Sequence, residues 1–99
     1  MADFCEKNNI FVQPATGMNA DSVAEYVISC SLSLLKNIPL AHQGTVSGKW
    51  PRTSIKSREL QGKTIGLLGF GVIGKKVSML AQVFGSKIVA YDPYIPQSD

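Results

Sequence analysis

Apolar residues fall into separate stretches along this 99-residue chain, and the spacing within each stretch predicts a different element. Ile10-Phe11-Val12 is a brief apolar run closed by Pro14 and Gly17, which reads as a short strand. It follows a short helix-like opening from Asp3 to Asn8. From Ser22 to Ile38 the period changes. Val23, Val27, Cys30, Leu34 and Ile38 recur at helical spacing, and Ile28, Leu32 and Leu35 widen the stripe beyond one face. Ser22-Val-Ala-Glu25 has the form of a capping box, and Pro39 biases Ile38 away from helical angles, which sets the expected end of the helix. A surface this broad calls for burial from two sides, by the chain's own core or by a second subunit.

Residues 39–62 read as a polar, basic connector ending in Gly62, in which the large Trp50 is expected to pack on a neighbour. The last third then alternates. Thr64 to Leu68 has strand length. Residues 72–84 place Ile73, Val77, Leu80, Ala81 and Phe84 on one helical face, and Gly85 stands where a left-handed residue ends a helix. Lys87 to Tyr91, "KIVAY", is a second strand. Strand, helix and strand in such close succession form a βαβ unit with parallel strands. The expected class is therefore α/β: a βαβ unit preceded by a long helix, with too few strands to complete a doubly wound sheet.

Composition narrows the picture without changing it. A chain of 99 residues with 44% hydrophobic residues is ordinary globular material of a single small domain. No apolar run reaches the length of roughly 18 residues that a membrane-spanning helix needs. The start, MADFCEKNN, carries early acidic residues and no apolar core of a secretory signal, so the expected compartment is the cytoplasm. Cys5 and Cys30 read as reduced thiols. The net charge of +3 owes much to Lys49, Arg52, Lys56, Arg58 and Lys63. With only Trp50 among them, this cluster lacks interleaved stacking residues and reads as a solvated connector, not a nucleic-acid surface. His42, the only histidine, sits in the same connector with no carboxylate at motif spacing. No nucleophile–base set or metal-ligand set stands out, so no catalytic residue is assigned.

The chemistry lies in "KTIGLLGFGVIGKKV", Lys63 to Val77, where Gly69, Gly71 and Gly74 match G-x-G-x-x-G. The pattern gains meaning from its place between a strand and a helix. Gly69 permits the tight turn out of the strand, Gly71 lets a pyrophosphate approach the backbone, and Gly74 allows close helix–strand packing. Free amides around Val72 and Ile73, at the positive end of the helix dipole, suit an anion. Asp92 ends the second strand about 20 residues beyond the glycines, where a carboxylate accepts from adenosine ribose hydroxyls and repels a 2′-phosphate. This favours NAD over NADP. Lys75 and Lys76 oppose the helix dipole at small cost and read as solvated lysines beside the loop.

The stretches "NNIFVQPATGMNADSVAEYVI", "GKW", "ELQGKTIGLLGFGVIGKKV" and "FGSKIVAYDPY" together resemble the D-isomer-specific 2-hydroxyacid dehydrogenases, the family that includes D-3-phosphoglycerate dehydrogenase. The resemblance implies that residues 1–18 belong to the end of a substrate domain and residues 19–99 to the start of an NAD-binding Rossmann domain. It implies helix 22–38 as an interdomain helix, connector 39–62, and βαβ unit 63–92. It assigns cofactor binding to Gly69, Phe70, Gly71, Val72, Ile73, Gly74, Asp92 and Pro93. It also places the helix Ser22–Ile38 and the Trp50 region in subunit contacts, most simply a homodimer. The family often has Arg or Asn where this chain has Val72, a tolerable change because backbone amides do most of the binding. Its catalytic Arg, Glu and His fall outside these residues, so the chain alone is expected to be inactive. The alternative is a non-catalytic module for nucleotide binding or dimerisation. With so little of a doubly wound sheet present, marginal stability is expected.

Overall fold

The computed structural model describes residues 2–15, 17–50 and 55–96; Arg52 of the basic cluster lies outside them. The elements run α1 (Ala2–Lys7), α2 (Ala20–Lys36), α3 (Ile38–Val46), β1 (Thr64–Leu68), α4 (Val72–Val83) and β2 (Lys87–Tyr91). β1 and β2 pair in parallel, with Thr64 opposite Lys87 and Leu68 opposite Tyr91. The α/β class and the βαβ unit are as the sequence predicts.

Alternation along the strands decides which face is covered. Ile65 and Leu67 of β1 and Ile88 of β2 turn towards the helices and pack against a cluster of Ala24, Ile28, Val77 and Ala81. The residues between them point the other way, where Leu68, Val89 and Tyr91 are exposed. α4 packs on the covered face and α2 packs on α4. Ala24 and Ala81 are fully buried in the contact between the two helices, with Ile28 and Val77 beside them. Asp21 in the first turn of α2 pairs with Lys76 of α4 at 2.6 Å across their exposed rim. Lys76 is therefore tied to α2.

Gly85 ends α4 as expected, with φ +86°. Its N–H donates to Gln82 and that of Ser86 to Ala81, the paired pattern of a Schellman cap. The same turn holds the chain segment entering β1. Gly62 N–H donates to the Gly85 carbonyl at 3.0 Å, and the buried Ser86 hydroxyl donates to the Leu60 carbonyl at 2.8 Å. Two turns that lie far apart in sequence thus set where both strands begin.

Several expectations need correction. The helix expected over 22–38 is α2, which starts at Ala20 after Asn19 and has no side-chain cap, so Ser22 lies inside the first turn and makes no capping box. It ends at Lys36 because Asn37 adopts a left-handed conformation, with φ 53° and ψ 42°. Pro39 does not end a helix but stands in the first turn of α3, where its missing N–H costs nothing. The expected connector 39–62 therefore begins with a helix. Of the apolar residues expected on this helix, Val27, Ile28 and Leu32 pack in the core it shares with α4, whereas Leu34, and Ile38 at the start of α3, are exposed. Ile10-Phe11-Val12 is exposed and forms no strand; the sheet consists of β1 and β2 alone among the described residues. Trp50 is 83% exposed and packs on no described part of the chain.

Candidate dinucleotide site

Both parallel strands end at the same side of the sheet, Leu68 beside Tyr91, and the site begins there. In open α/β sheets ligands sit beyond the carboxyl ends of the strands. The ladder continues one residue past β1, with Gly69 N–H donating to the Tyr91 carbonyl at 2.7 Å. Gly69 then takes φ +103°, a conformation that a residue with a Cβ rarely adopts. This turns the chain sharply out of the strand.

Phe70 follows, and its N–H donates to Oδ2 of Asp92 at 2.8 Å. Oδ1 of the same carboxylate accepts the N–H of Tyr94 at 2.9 Å. The Phe70 N–H, and after it that of Tyr94, hold the Asp92 carboxyl below the ordinary aspartate range; slight desolvation works against them. Asp92 is ionised at neutral pH and built into the loop. Lys75 Nζ lies 6.0 Å from the centre of the Phe70 ring, over its face.

Gly71 precedes α4 with extended backbone, and no side chain caps the helix. The first N–H bond back along this helix runs from Lys75 to the Gly71 carbonyl. The amides of Val72, Ile73 and Gly74 therefore lie outside the helical ladder. A Cβ on Gly71 would meet nothing within 4 Å and would project into open space beside them. On Gly74 a Cβ would lie 2.6 Å from the Gly69 carbonyl oxygen. The three glycines thus serve three different needs: a backbone angle at Gly69, free space at Gly71, and close packing at Gly74.

The structure brings the predicted residues to one end of the sheet. Gly69, Phe70, Gly71, Val72, Ile73 and Gly74 form the loop and first helical turn, and Asp92 and Pro93 close the second strand beside it. Phe70, Asp92 and Pro93 share a groove of about 810 Å³ that continues along β2 towards Ser78 and Gln82 of α4. His42 is exposed on α3, outside this arrangement. No group of three metal-ligating side chains occurs among the described residues. Two contacts escape a reading of the sequence: the bond from Phe70 to Asp92, and the approach of Gly17 to Val72, whose Cγ1 would lie 3.6 Å from a Cβ at Gly17. The first depends on the register of β1 against β2, and nothing in the sequence marks the second.

A glycine loop opening a helix between parallel strands, with a carboxylate ending the second strand, defines a dinucleotide-binding unit of the Rossmann class. Residues 28–99 match the sequence profile of the D-isomer specific 2-hydroxyacid dehydrogenase, NAD binding domain. The chain belongs to that family, and this region is its NAD-binding domain. It is 40% identical over 97 residues to (S)-sulfolactate dehydrogenase of Chromohalobacter salexigens, covering 98% of this chain and 31% of that protein. It is 42% identical over 94 residues to hydroxypyruvate reductase of Thermotoga maritima, covering 95% of this chain and 31% of the relative. Among solved structures, the NAD-dependent formate dehydrogenase of Staphylococcus aureus in complex with NAD superposes with a TM-score of 0.80 at 38% identity, covering 91% of this chain and 28% of that one. The chain spans about a third of the length of the relatives it matches.

Proposed function

We propose that this chain is the cofactor-binding portion of an oxidoreductase that transfers a hydride between NAD and a D-2-hydroxy acid or its 2-keto acid. The observation that carries the reading is the loop itself. Space is left open at Gly71, beside three amides of α4 outside the helical ladder, and an ionised Asp92 stands at the end of the neighbouring strand. NAD, when bound, supplies the nicotinamide that accepts or gives the hydride. The chain's own part is to hold and orient it. The amides of Val72, Ile73 and Gly74 meet the pyrophosphate at the positive end of the helix. Asp92 accepts from the ribose hydroxyls and disfavours a 2′-phosphate, and Pro93 lies against the adenine. Residues 1–18 are then the remnant of a substrate domain and residues 19–99 the first part of the nucleotide domain. Catalysis awaits groups from elsewhere in the enzyme, acting in the cytoplasm.

A second reading, a nucleotide-binding or dimerisation module without catalysis, draws on the exposed apolar residues Tyr26, Leu34 and Trp50. On either reading α2 and the Trp50 region meet another subunit, either a second copy or the remaining enzyme. Titration with NADH and NADPH, followed by nicotinamide fluorescence, tests the cofactor claim. Saturable binding that is tighter for NADH supports it; a folded chain that binds neither nucleotide rules it out. Activity on D-2-hydroxy acids, regained on mixing with the complementary part of a family enzyme, separates the first reading from the second.

A further inference from the structure

We infer that Asp92 is a positioning residue for the phosphate loop, fixing the backbone at Phe70 before any nucleotide arrives. The inference rests on the cofactor reading for its purpose, but its structural claim concerns the chain alone. Gly69 and Gly71 flank Phe70, and each removes the side chain that would restrict backbone rotation. The loop therefore needs an external hold between them. On one side Gly69 N–H reaches the Tyr91 carbonyl at 2.7 Å. One residue later, Phe70 N–H reaches Asp92 Oδ2 at 2.8 Å. The carboxylate thus continues the β1–β2 ladder by one rung, with a charged acceptor in place of a backbone carbonyl. Charged acceptors form the stronger bonds of this kind.

The carboxylate is itself held, because Oδ1 accepts from Tyr94 N–H at 2.9 Å. Fixing Phe70 decides where Gly71 and the first amides of α4 stand. A carboxylate offers roughly four acceptor positions, so these two bonds leave room for ribose hydroxyls. The consequence concerns the phosphates, which Asp92 need not touch. A carboxylate acting only on the ribose repels phosphate, and its removal raises affinity for a phosphate ligand that lacks ribose. A carboxylate that shapes the loop has the opposite effect.

The test compares the full chain with Asp92→Ala, which loses both acceptors, and with Asp92→Asn, which keeps one. Amide hydrogen exchange is followed by NMR without nucleotide, and binding of inorganic pyrophosphate is measured separately. Positioning predicts that Phe70 exchanges roughly tenfold faster in Asp92→Ala, as expected for loss of a charge-assisted bond. Val77 and Ala81 keep their protection, and pyrophosphate binds several-fold more weakly to both variants. Unchanged exchange at Phe70 in Asp92→Ala, or tighter pyrophosphate binding to either variant, overturns the inference. Absence of protection throughout α4 in the unaltered chain overturns it together with the fold on which it stands. If the unaltered chain protects Phe70 through Asp92 but binds no pyrophosphate, the cofactor reading fails while the loop-positioning claim holds.

Discussion

The carbonyl oxygen of Gly69 fills the space that a side chain on Gly74 would occupy; a Cβ there would lie 2.6 Å from it. The oxygen is part of the backbone and a Cβ is fixed directly to backbone, so neither can step aside without moving the loop or the helix. Alanine in place of glycine within a helix ordinarily stabilises by up to about 1 kcal/mol. Here the sign reverses. Gly74→Ala is expected to destabilise the chain by about 1–3 kcal/mol through overpacking. Urea denaturation of the two proteins checks this, and an alanine variant as stable as the parent contradicts the packing described.

Gly71 makes the complementary case. A Cβ at this position meets open space, and its backbone angle is one that any residue adopts. Gly71→Ala is expected to change stability by no more than about 0.5 kcal/mol. Affinity for NADH falls at least about tenfold if the added methyl stands where the pyrophosphate must approach. Thermal unfolding and nucleotide titration of the same sample separate the two effects. Equal losses of stability and of binding would mean that Gly71 is a folding residue.

The hold of Asp92 on Phe70 depends on pH in a known direction. The folded-state pKa of Asp92 is depressed, first by the Phe70 N–H and then by that of Tyr94. Its contribution is therefore fully present above the ordinary aspartate value and is lost as pH falls through the lower folded value. Stability measured against pH for the parent and for Asp92→Asn should differ at neutral pH and converge in acid. A constant difference across the range would show that the carboxylate's charge contributes nothing.

The junction of the two turns gives a further check. A Cβ on Gly85 would lie 3.0 Å from Gln61 Cγ, and its φ of +86° disfavours any side chain. Gly85→Ala is expected to cost about 1–2 kcal/mol from the backbone angle alone. Ser86→Ala removes the buried hydroxyl from the Leu60 carbonyl and costs about 1 kcal/mol. The residues share one turn, so the double variant should cost less than the sum if losing either one loosens the turn as a whole. Denaturant unfolding of the single and double variants measures that coupling.

Much of the nucleotide unit was legible because its signals are local. Glycine spacing, the apolar period from Val72 to Phe84 and the strand-length runs on either side each predict an element by themselves, and they agree. The first half of the chain was less legible for physical reasons. Ile10-Phe11-Val12 has strand composition, but a strand needs an edge, and composition does not reveal whether one is present. The end of α2 is set by the left-handed Asn37, a residue type that tolerates this geometry without requiring it. Pro39 was visible but ambiguous, since proline can stand at the start of a helix as well as after its end. Which part of the broad apolar stripe on α2 is covered depends on the side from which α4 approaches. The site residues were located by motif, but the bond joining Phe70 to Asp92 depends on strand register, which spacing alone does not supply.

The small core between α2 and α4, in which no large side chain is fully buried among the described residues, has a consequence for how the chain loses its structure. Its radius of gyration is 19.6 Å, against about 13 Å for a compact domain of this length. Few large side chains leave water when it folds. The heat-capacity increment and the denaturant slope both scale with the apolar surface that unfolding exposes. Both quantities should therefore be small for this chain in isolation. Its stability would vary little with temperature near the maximum, and its melting would spread over a wide interval. Contact with a larger partner would bury more apolar surface, so the transition would sharpen as its midpoint rises.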